Sequence, residues 1–291
     1  MKPKLYPLKV EPPTRILETS KLNSELNAAI AIEKAIDDFQ TKMKEAGKTK
    51  ETIIARIRNL KQVAKYCNIL NPDHVKTWLA SENLCRWRNS TKNKFIDTYN
   101  QFLKSQNITW HPPSYKACER VPFVPTEQEL DILISGCGKK TATVLQTLKE
   151  TGMRIGELTQ LKWTDLDTER RTLSVTPEKN SNPRLVKISD KLLNMINQLP
   201  RSKETIFHSK KNDLRTYFCI QRKAIAEKMQ NPRLLKISFH TFRHWKGTME
   251  YHKTKDIMHV KYILGHKTIE CTLIYINRVC IIPFRHRRMD C

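Results

Sequence analysis

Five residues in the second half of this 291-residue sequence have side chains suited to attacking a phosphodiester. They are Arg154 in Thr-Gly-Met-Arg-Ile-Gly-Glu-Leu, His240 and Arg243 in His-Thr-Phe-Arg, His266 in Leu-Gly-His-Lys, and Tyr275. Two guanidiniums can hold the non-bridging oxygens of one phosphate, imidazoles can hydrogen-bond it and shuttle protons, and a phenol can form a covalent phosphoryl intermediate. That inventory needs no metal and no organic cofactor. His240 and Arg243, three apart, share a helix face near an amino end that favours anions, with Ser238 as a candidate cap. Phenol is a weak nucleophile at its free pKa of about 10, so it must lose its proton where cations favour the phenolate. Each residue also has a plainer reading. Arg154 alone suits a surface salt bridge with Glu157, and Tyr251 and Tyr262 rival Tyr275. His240 and His244 have the i, i+4 spacing of two metal ligands, but Thr241 stands where a zincin motif has Glu.

The order and spacing resemble the tyrosine recombinases (phage integrase family), most closely the integrases of archaea and their mobile elements. Thr151 to Leu158 reproduces the family's Thr-Gly-x-Arg-x-x-Glu-Leu segment and His240 to Arg243 its His-x-x-Arg box. His266 follows Arg243 by 23 residues and Tyr275 follows His266 by 9, intervals typical of the family that select Tyr275 over its rivals. The resemblance implies that Arg154 binds the scissile phosphate and that Tyr275 forms a 3′-phosphotyrosyl bond with release of a 5′-hydroxyl. Such a bond conserves the phosphodiester's energy, so rejoining needs no ATP. In the family a hairpin lysine protonates the leaving oxygen. Lys179, in Pro-Glu-Lys-Asn-Ser-Asn, stands at the matching tip, and Lys187 on the second strand is its competitor. The resemblance also implies four subunits on paired DNA sites. The 16 residues after Tyr275 depart from it, being apolar and then basic where archaeal relatives continue with a longer acidic or mixed segment.

Composition points to the same partner. With 53 Lys and Arg against 29 Asp and Glu the net charge is +24, which draws a chain toward a polyanion. The excess is +7 over residues 21–110 and +14 over residues 124–291, so both halves are expected to touch double-stranded DNA. There is no 18-residue apolar run, and the amino terminus lacks the apolar core of a signal peptide, so a membrane is not expected. Eight scattered cysteines without a Cys-x-x-Cys pair suit reduced thiols in a cytoplasm, and a nucleoid-associated protein is the expectation.

The elements that must position these residues read as two domains. Residues 1–20 are Pro-rich and read as an extended arm. Residues 21–110 read as four helices. Leu26, Ala29, Ile30, Ile32, Ala35, Ile36, Phe39 and Met43 mark the first, stopped by Gly47, and Ile53, Ile57, Leu60, Val63 and Ala64 the second. Asn71-Pro72 opens the third over Val75, Trp78 and Leu79, and Ser90 or Thr91 opens the fourth over Phe95, Ile96, Tyr99, Phe102 and Leu103. Residues 111–123 read as a linker. In residues 124–291 the capping box Thr126-Glu-Gln-Glu starts a helix, Thr141 to Glu150 forms another that ends at Gly152, and Gly156 to Leu158 begins a third. Thr172 to Thr176 and Leu185 to Ile188 form a hairpin around Pro-Glu-Lys-Asn-Ser-Asn-Pro, and helices follow Asp190. The fold class is therefore mainly α with a small antiparallel sheet. By resemblance it is a core-binding, SAM-like bundle plus an α+β catalytic domain.

Basic groups gather along the bundle's helices, the expected footprint of phosphate contact: Lys44, Lys48, Lys50, Arg56 and Arg58 on one helix pair, with Arg86, Arg88, Lys92 and Lys94 near the last helix. Charge runs are more often solvated faces. A non-catalytic regulator is the contrasting class, since Asp256 to Leu264, Gly265 and Thr268 to Tyr275 read as a helix-turn-helix. A regulator has no need of Arg154, the His-Thr-Phe-Arg box and Tyr275 together. Type IB topoisomerases share the chemistry but relax DNA without a defined pair of sites, and no carboxylate cluster suggests a metal-dependent nuclease.

Overall fold

The structure, a computed structural model, describes residues 14–81, 87–116, 123–178 and 181–275, with side chains described from residue 26 onward. The chain divides into two compact units, Met1–Arg120 and Val121–Cys291.

The first unit is built from α1 (Thr14–Glu45), α2 (Lys50–Ala64), α3 (Pro72–Ala80) and α4 (Asn89–Ser105). Gly47, at φ +64°, takes the left-handed conformation that lets the chain reverse between α1 and α2. Asn71 caps α3, its Oδ1 accepting from the amides of Asp73 at 3.0 Å and His74 at 3.4 Å, with Pro72 at the first helical position. Ile36, Phe39, Leu60, Val63, Val75, Leu79, Phe95 and Phe102 form the core, and the buried Tyr99 donates its hydroxyl to the Ile69 carbonyl at 2.9 Å.

Two expectations for this unit are corrected. The helix starts at Thr14, so residues 14–20 are not an extended arm. Thr14 to Ser20 contain no residue that breaks a helix. The apolar series of α1 also overreaches, because Leu26 and Ile30 are each 58 % exposed and, among the described side chains of α1, the buried stripe runs from Ala35 to Met43. At about 1.5 Å per residue, the 32 residues of α1 make a helix roughly twice the length of the 15-residue α2 and the 17-residue α4.

The second unit opens with α5 (Glu127–Gly136), where Thr126 and Glu129 exchange capping bonds of 3.2 and 2.8 Å. The helix α6 (Lys139–Thr151) is buried along most of its length and packs on α10 (Phe239–Thr254). Between them lie α7 (Ile155–Gln160), a 3₁₀ turn at Trp163–Asp165, and the strands β1 (Leu166–Asp167), β2 (Thr172–Val175) and β3 (Arg184–Lys187). The strands form one antiparallel sheet in the order β1-β2-β3, with Leu166 opposite Leu173 and Leu173 opposite Val186. The hairpin read from sequence is β2 and β3, and β1 is an addition too short to show a period. Then come α8 (Asp190–Asn197), α9 (Lys211–Lys228) and, after α10, α11 (Ile257–Leu264) and α12 (Glu270–Leu273). No described helix is long and apolar enough to cross a membrane.

Candidate active site

Two left-handed glycines shape the site. Gly152 (φ +62°) ends α6 and delivers Arg154 to the first turn of α7, while Gly265 (φ +67°) ends α11 and turns His266 back against it. A helix leaves its last carbonyls unpaired. Arg243, buried on α10, satisfies both ends at once: Nη1 donates to the Gly152 carbonyl at 2.9 Å and Nη2 to the Leu264 carbonyl at 2.6 Å. Burial, then the charge of Arg154, bring Arg243 down to about 10, so it remains cationic at neutral pH.

Arg154 is fixed by its own helix and by the hairpin. Its amide donates to Glu157 Oε2 at 2.9 Å, and its Nη1 donates to Glu157 Oε1 at 3.2 Å and to the Ser181 hydroxyl at 2.6 Å. The salt bridge with Glu157 is thus real, yet the Arg154 side chain keeps 29 % of its surface exposed. Glu157 is also paired with Arg184, which lies on the same buried face of β3 as Val186. Burial raises the Glu157 carboxyl, but the Arg184 hydrogen bond and charge outweigh it and hold it below the usual carboxylate range. Ser181 Oγ and the Asn182 amide donate to the Gly265 carbonyl at 2.8 and 3.0 Å, tying the hairpin to the turn that carries His266.

His266 is buried, its Nδ1 lies 2.9 Å from the Thr272 hydroxyl, and it stays neutral at pH 7. Burial, then the charges of Arg243, Arg154 and Arg184, push its pKa down to about 3. The ring of Tyr275 lies parallel to that of His266, 6.3 Å between centroids, and is 1 % exposed. The phenol oxygen is 3.3 Å from His244 Nδ1. Gly247 makes room for it, since a Cβ there would meet Tyr275 Cζ at 2.8 Å. His240 is exposed at the start of α10, its ring 4.4 Å from that of His244. It borders a groove of about 540 Å³ together with Arg154, Glu178, Lys211, Arg215 and Arg222.

The fold therefore gathers Arg154, Arg243, His266 and Tyr275 around the Gly152 and Gly265 turns, with His240 beside them through His244. Lys179 lies outside the described residues. Its neighbour Glu178 rests over Gly156, where a Cβ would come within 1.8 Å of Oε2, and pairs with Lys211 at 3.3 Å. Lys187 is exposed, at the far end of β3 from the hairpin tip. Sequence reasoning missed Arg184, Ser181, His244 as a partner of Tyr275, and the basic residues of α9. Only Arg184 left a legible signal, its even spacing from Val186 in a strand.

In the helical unit, Lys44, Lys48, Lys50 and Arg58 border a groove of about 1040 Å³ between α1 and α2, floored by Ile53 and Ile57. Arg56 turns away from it and bonds Gln101 and Asp97 on α4. Lys92 donates to the Leu79 carbonyl at 3.1 Å and covers the Tyr115 ring, whereas Arg88 and Lys94 are exposed. Arg86 lies outside the described residues.

The sequence profile of the phage integrase family matches residues 125–279, more than half of the chain and every motif from Arg154 to Tyr275. The chain belongs to the phage integrase family. Among curated relatives, tyrosine recombinase XerA of Saccharolobus solfataricus is 24 % identical over 239 residues, covering 75 % of this chain and 80 % of the relative. Two solved structures share the integrase fold at low identity. The Tn1549 transposon integrase in complex with transposon right end DNA has a TM-score of 0.65 at 18 % identity, covering 83 % of this chain and 94 % of that one. A lambda integrase tetramer bound to a Holliday junction has a TM-score of 0.64 at 15 %, covering 89 % and 80 %.

Proposed function

We propose that this integrase-family chain is a site-specific recombinase that cuts and rejoins double-stranded DNA, with Arg154, His240, Arg243, His266 and Tyr275 as its reacting and binding groups. The observation that carries the reading is the pairing of a buried phenol with cationic arginines. Tyr275 lies on the neutral His266, and His266 feels the charges of both Arg243 and Arg154. An anionic phosphodiester arriving there meets fixed guanidiniums without the cost of reorganising solvent.

In this mechanism Arg154 and Arg243 hold the non-bridging oxygens, and His240 and His266 donate hydrogen bonds to them. Tyr275 Oη attacks phosphorus, the bond to the 5′-oxygen breaks, and Lys179 supplies the proton that makes a 5′-hydroxyl. The protein is left joined to the 3′-phosphate, and a 5′-hydroxyl from a second strand reverses the step without ATP. Residues 21–110 serve as the core-binding, DNA-contacting domain and residues 124–291 as the catalytic domain, joined by 111–123. Lys44, Lys48, Lys50, Arg58, Arg88 and Lys94 contact phosphates, and four copies assemble on paired sites, as the lambda integrase tetramer does on its junction. The setting is the nucleoid within a cytoplasm.

The test is to incubate wild type and Tyr275→Phe with suicide duplexes bearing a library of sequences, without added metal, and to look for a denaturation-resistant protein-DNA adduct. An adduct from wild type alone is expected. A normal adduct yield from Tyr275→Phe overturns the assignment.

A further inference from the structure

We propose that His244 takes the proton of the Tyr275 phenol during attack on DNA, acting at the recombinase site and resting on that reading of it. Its Nδ1 lies 3.3 Å from Tyr275 Oη, within reach of a hydrogen bond that tightens as substrate binds. The phenol is 1 % exposed, so a base already within hydrogen-bond reach is better placed than bulk water to receive its proton. Position explains why His244 is suited. It stands one helical turn beyond His240 on α10, edge-on to that ring at 79°, and its own carbonyl accepts from the Thr248 hydroxyl at 2.8 Å, which fixes the backbone that carries it.

The buried His266 is poorly placed for this task. His266 faces Tyr275 ring to ring rather than nitrogen to oxygen, and its Nδ1 is engaged with Thr272. Adding a proton there buries an imidazolium and sets it among Arg243, Arg154 and Arg184, which together push its pKa down to about 3. The two histidines thereby divide the work: His266 stays neutral and hydrogen-bonds the phosphate, while His244 changes protonation.

For His244 to accept, Nδ1 must present its lone pair and Nε2 must carry the hydrogen. As Oη bonds to phosphorus, the Oη–H bond breaks and its proton moves to Nδ1, giving an imidazolium. The bond from phosphorus to the 5′-oxygen breaks at the same time, and that oxygen takes its proton from a separate donor, Lys179 in the proposed mechanism. On rejoining, the imidazolium returns the proton to the departing phenolate. No oxidant or further reactant is needed.

The experiment measures single-turnover adduct formation on suicide duplexes with either an ordinary scissile phosphate or a 5′-bridging phosphorothiolate. A thiolate leaves without a proton, so this substrate relieves defects on the leaving-group side only. His244→Ala is expected to form adduct about 100-fold more slowly on both substrates, with DNA affinity unchanged. His244→Asn keeps an acceptor near the Nδ1 position but cannot hold a proton, and it is expected to be slow as well; it also serves if the alanine variant folds poorly. A wild-type rate from His244→Ala or from His244→Asn overturns the proposal, the latter by showing that positioning suffices. Recovery of His244→Ala on the phosphorothiolate overturns it too, by moving His244 to the leaving-group side. Absence of adduct from wild type would instead refute the recombinase reading.

Discussion

Glu157 and Arg184 form an ion pair with both side chains fully withdrawn from solvent, Nη2 standing 2.8 Å from Oε2. The other carboxylate oxygen receives Arg154, so one buried anion spans the hairpin and the first turn of α7. Removing either member of such a pair leaves an uncompensated charge, which costs roughly 3–5 kcal/mol. Glu157→Gln and Arg184→Met should lower stability by that order in denaturant unfolding of the full chain. Because the folded Glu157 pKa is depressed, its stabilisation is present above the unfolded value and is lost as pH falls through the folded one. The acid limb of the wild-type stability curve should therefore flatten in Glu157→Gln.

His266 predicts a second, higher window. Its folded pKa of about 3 lies below the ordinary 6.5, so an unfolded chain binds a proton that the folded chain refuses. Its stabilisation is complete above about pH 6.5 and declines as pH falls toward 3. The melting temperature of His266→Gln should depend less on pH between those limits than that of wild type.

Gly247 is where the nucleophile meets the helix beneath it. A methyl group there would stand 2.8 Å from Tyr275 Cζ and 2.9 Å from Leu264 Cδ1. Gly247→Ala should cost about 1–3 kcal/mol through overpacking and should displace the phenol. Adduct formation at saturating DNA should fall by an order of magnitude or more while affinity is retained, measured by gel shift beside the covalent assay.

The groove between α1 and α2 predicts a salt signature. Replacing Lys44, Lys48, Lys50 and Arg58 by alanine should weaken DNA binding and flatten the plot of log affinity against log salt by about 0.9 for each phosphate that is no longer neutralised. Arg56→Ala should act differently, lowering the stability of the helical unit through Gln101 and Asp97 with little change in that slope.

Much of this was legible in the sequence because the signals are local. The Thr126–Glu129 capping box, the Asn71-Pro72 helix start and the glycines that end α6 and α11 each depend on a few neighbouring residues. The motif residues were legible through spacing, which a shared fold preserves. What escaped detection depends on distant packing. Arg184 looked like one more basic residue until β3 placed it in phase with Val186 and against a carboxylate 27 positions away. His244 looked like half of a metal motif, and only the return of the chain at Tyr275, 31 residues later, gives it a partner. Periodicity in α1 described a face without saying how much of it other helices cover, and α1 proved longer than its partners.

Tyr275 rests on His266 of its own chain, inside the same folded unit that supplies Arg154 and Arg243. Arg154, Arg243, His266 and Tyr275 are thus supplied by one chain, which predicts that each copy carries these four groups whole or broken. In genetic terms, the prediction is that defects in different parts of the set do not complement. Copies bearing Tyr275→Phe mixed with copies bearing Arg154→Ala should stay as inactive together as apart, whereas a nucleophile lent between copies would restore cutting wherever an intact tyrosine met an intact arginine.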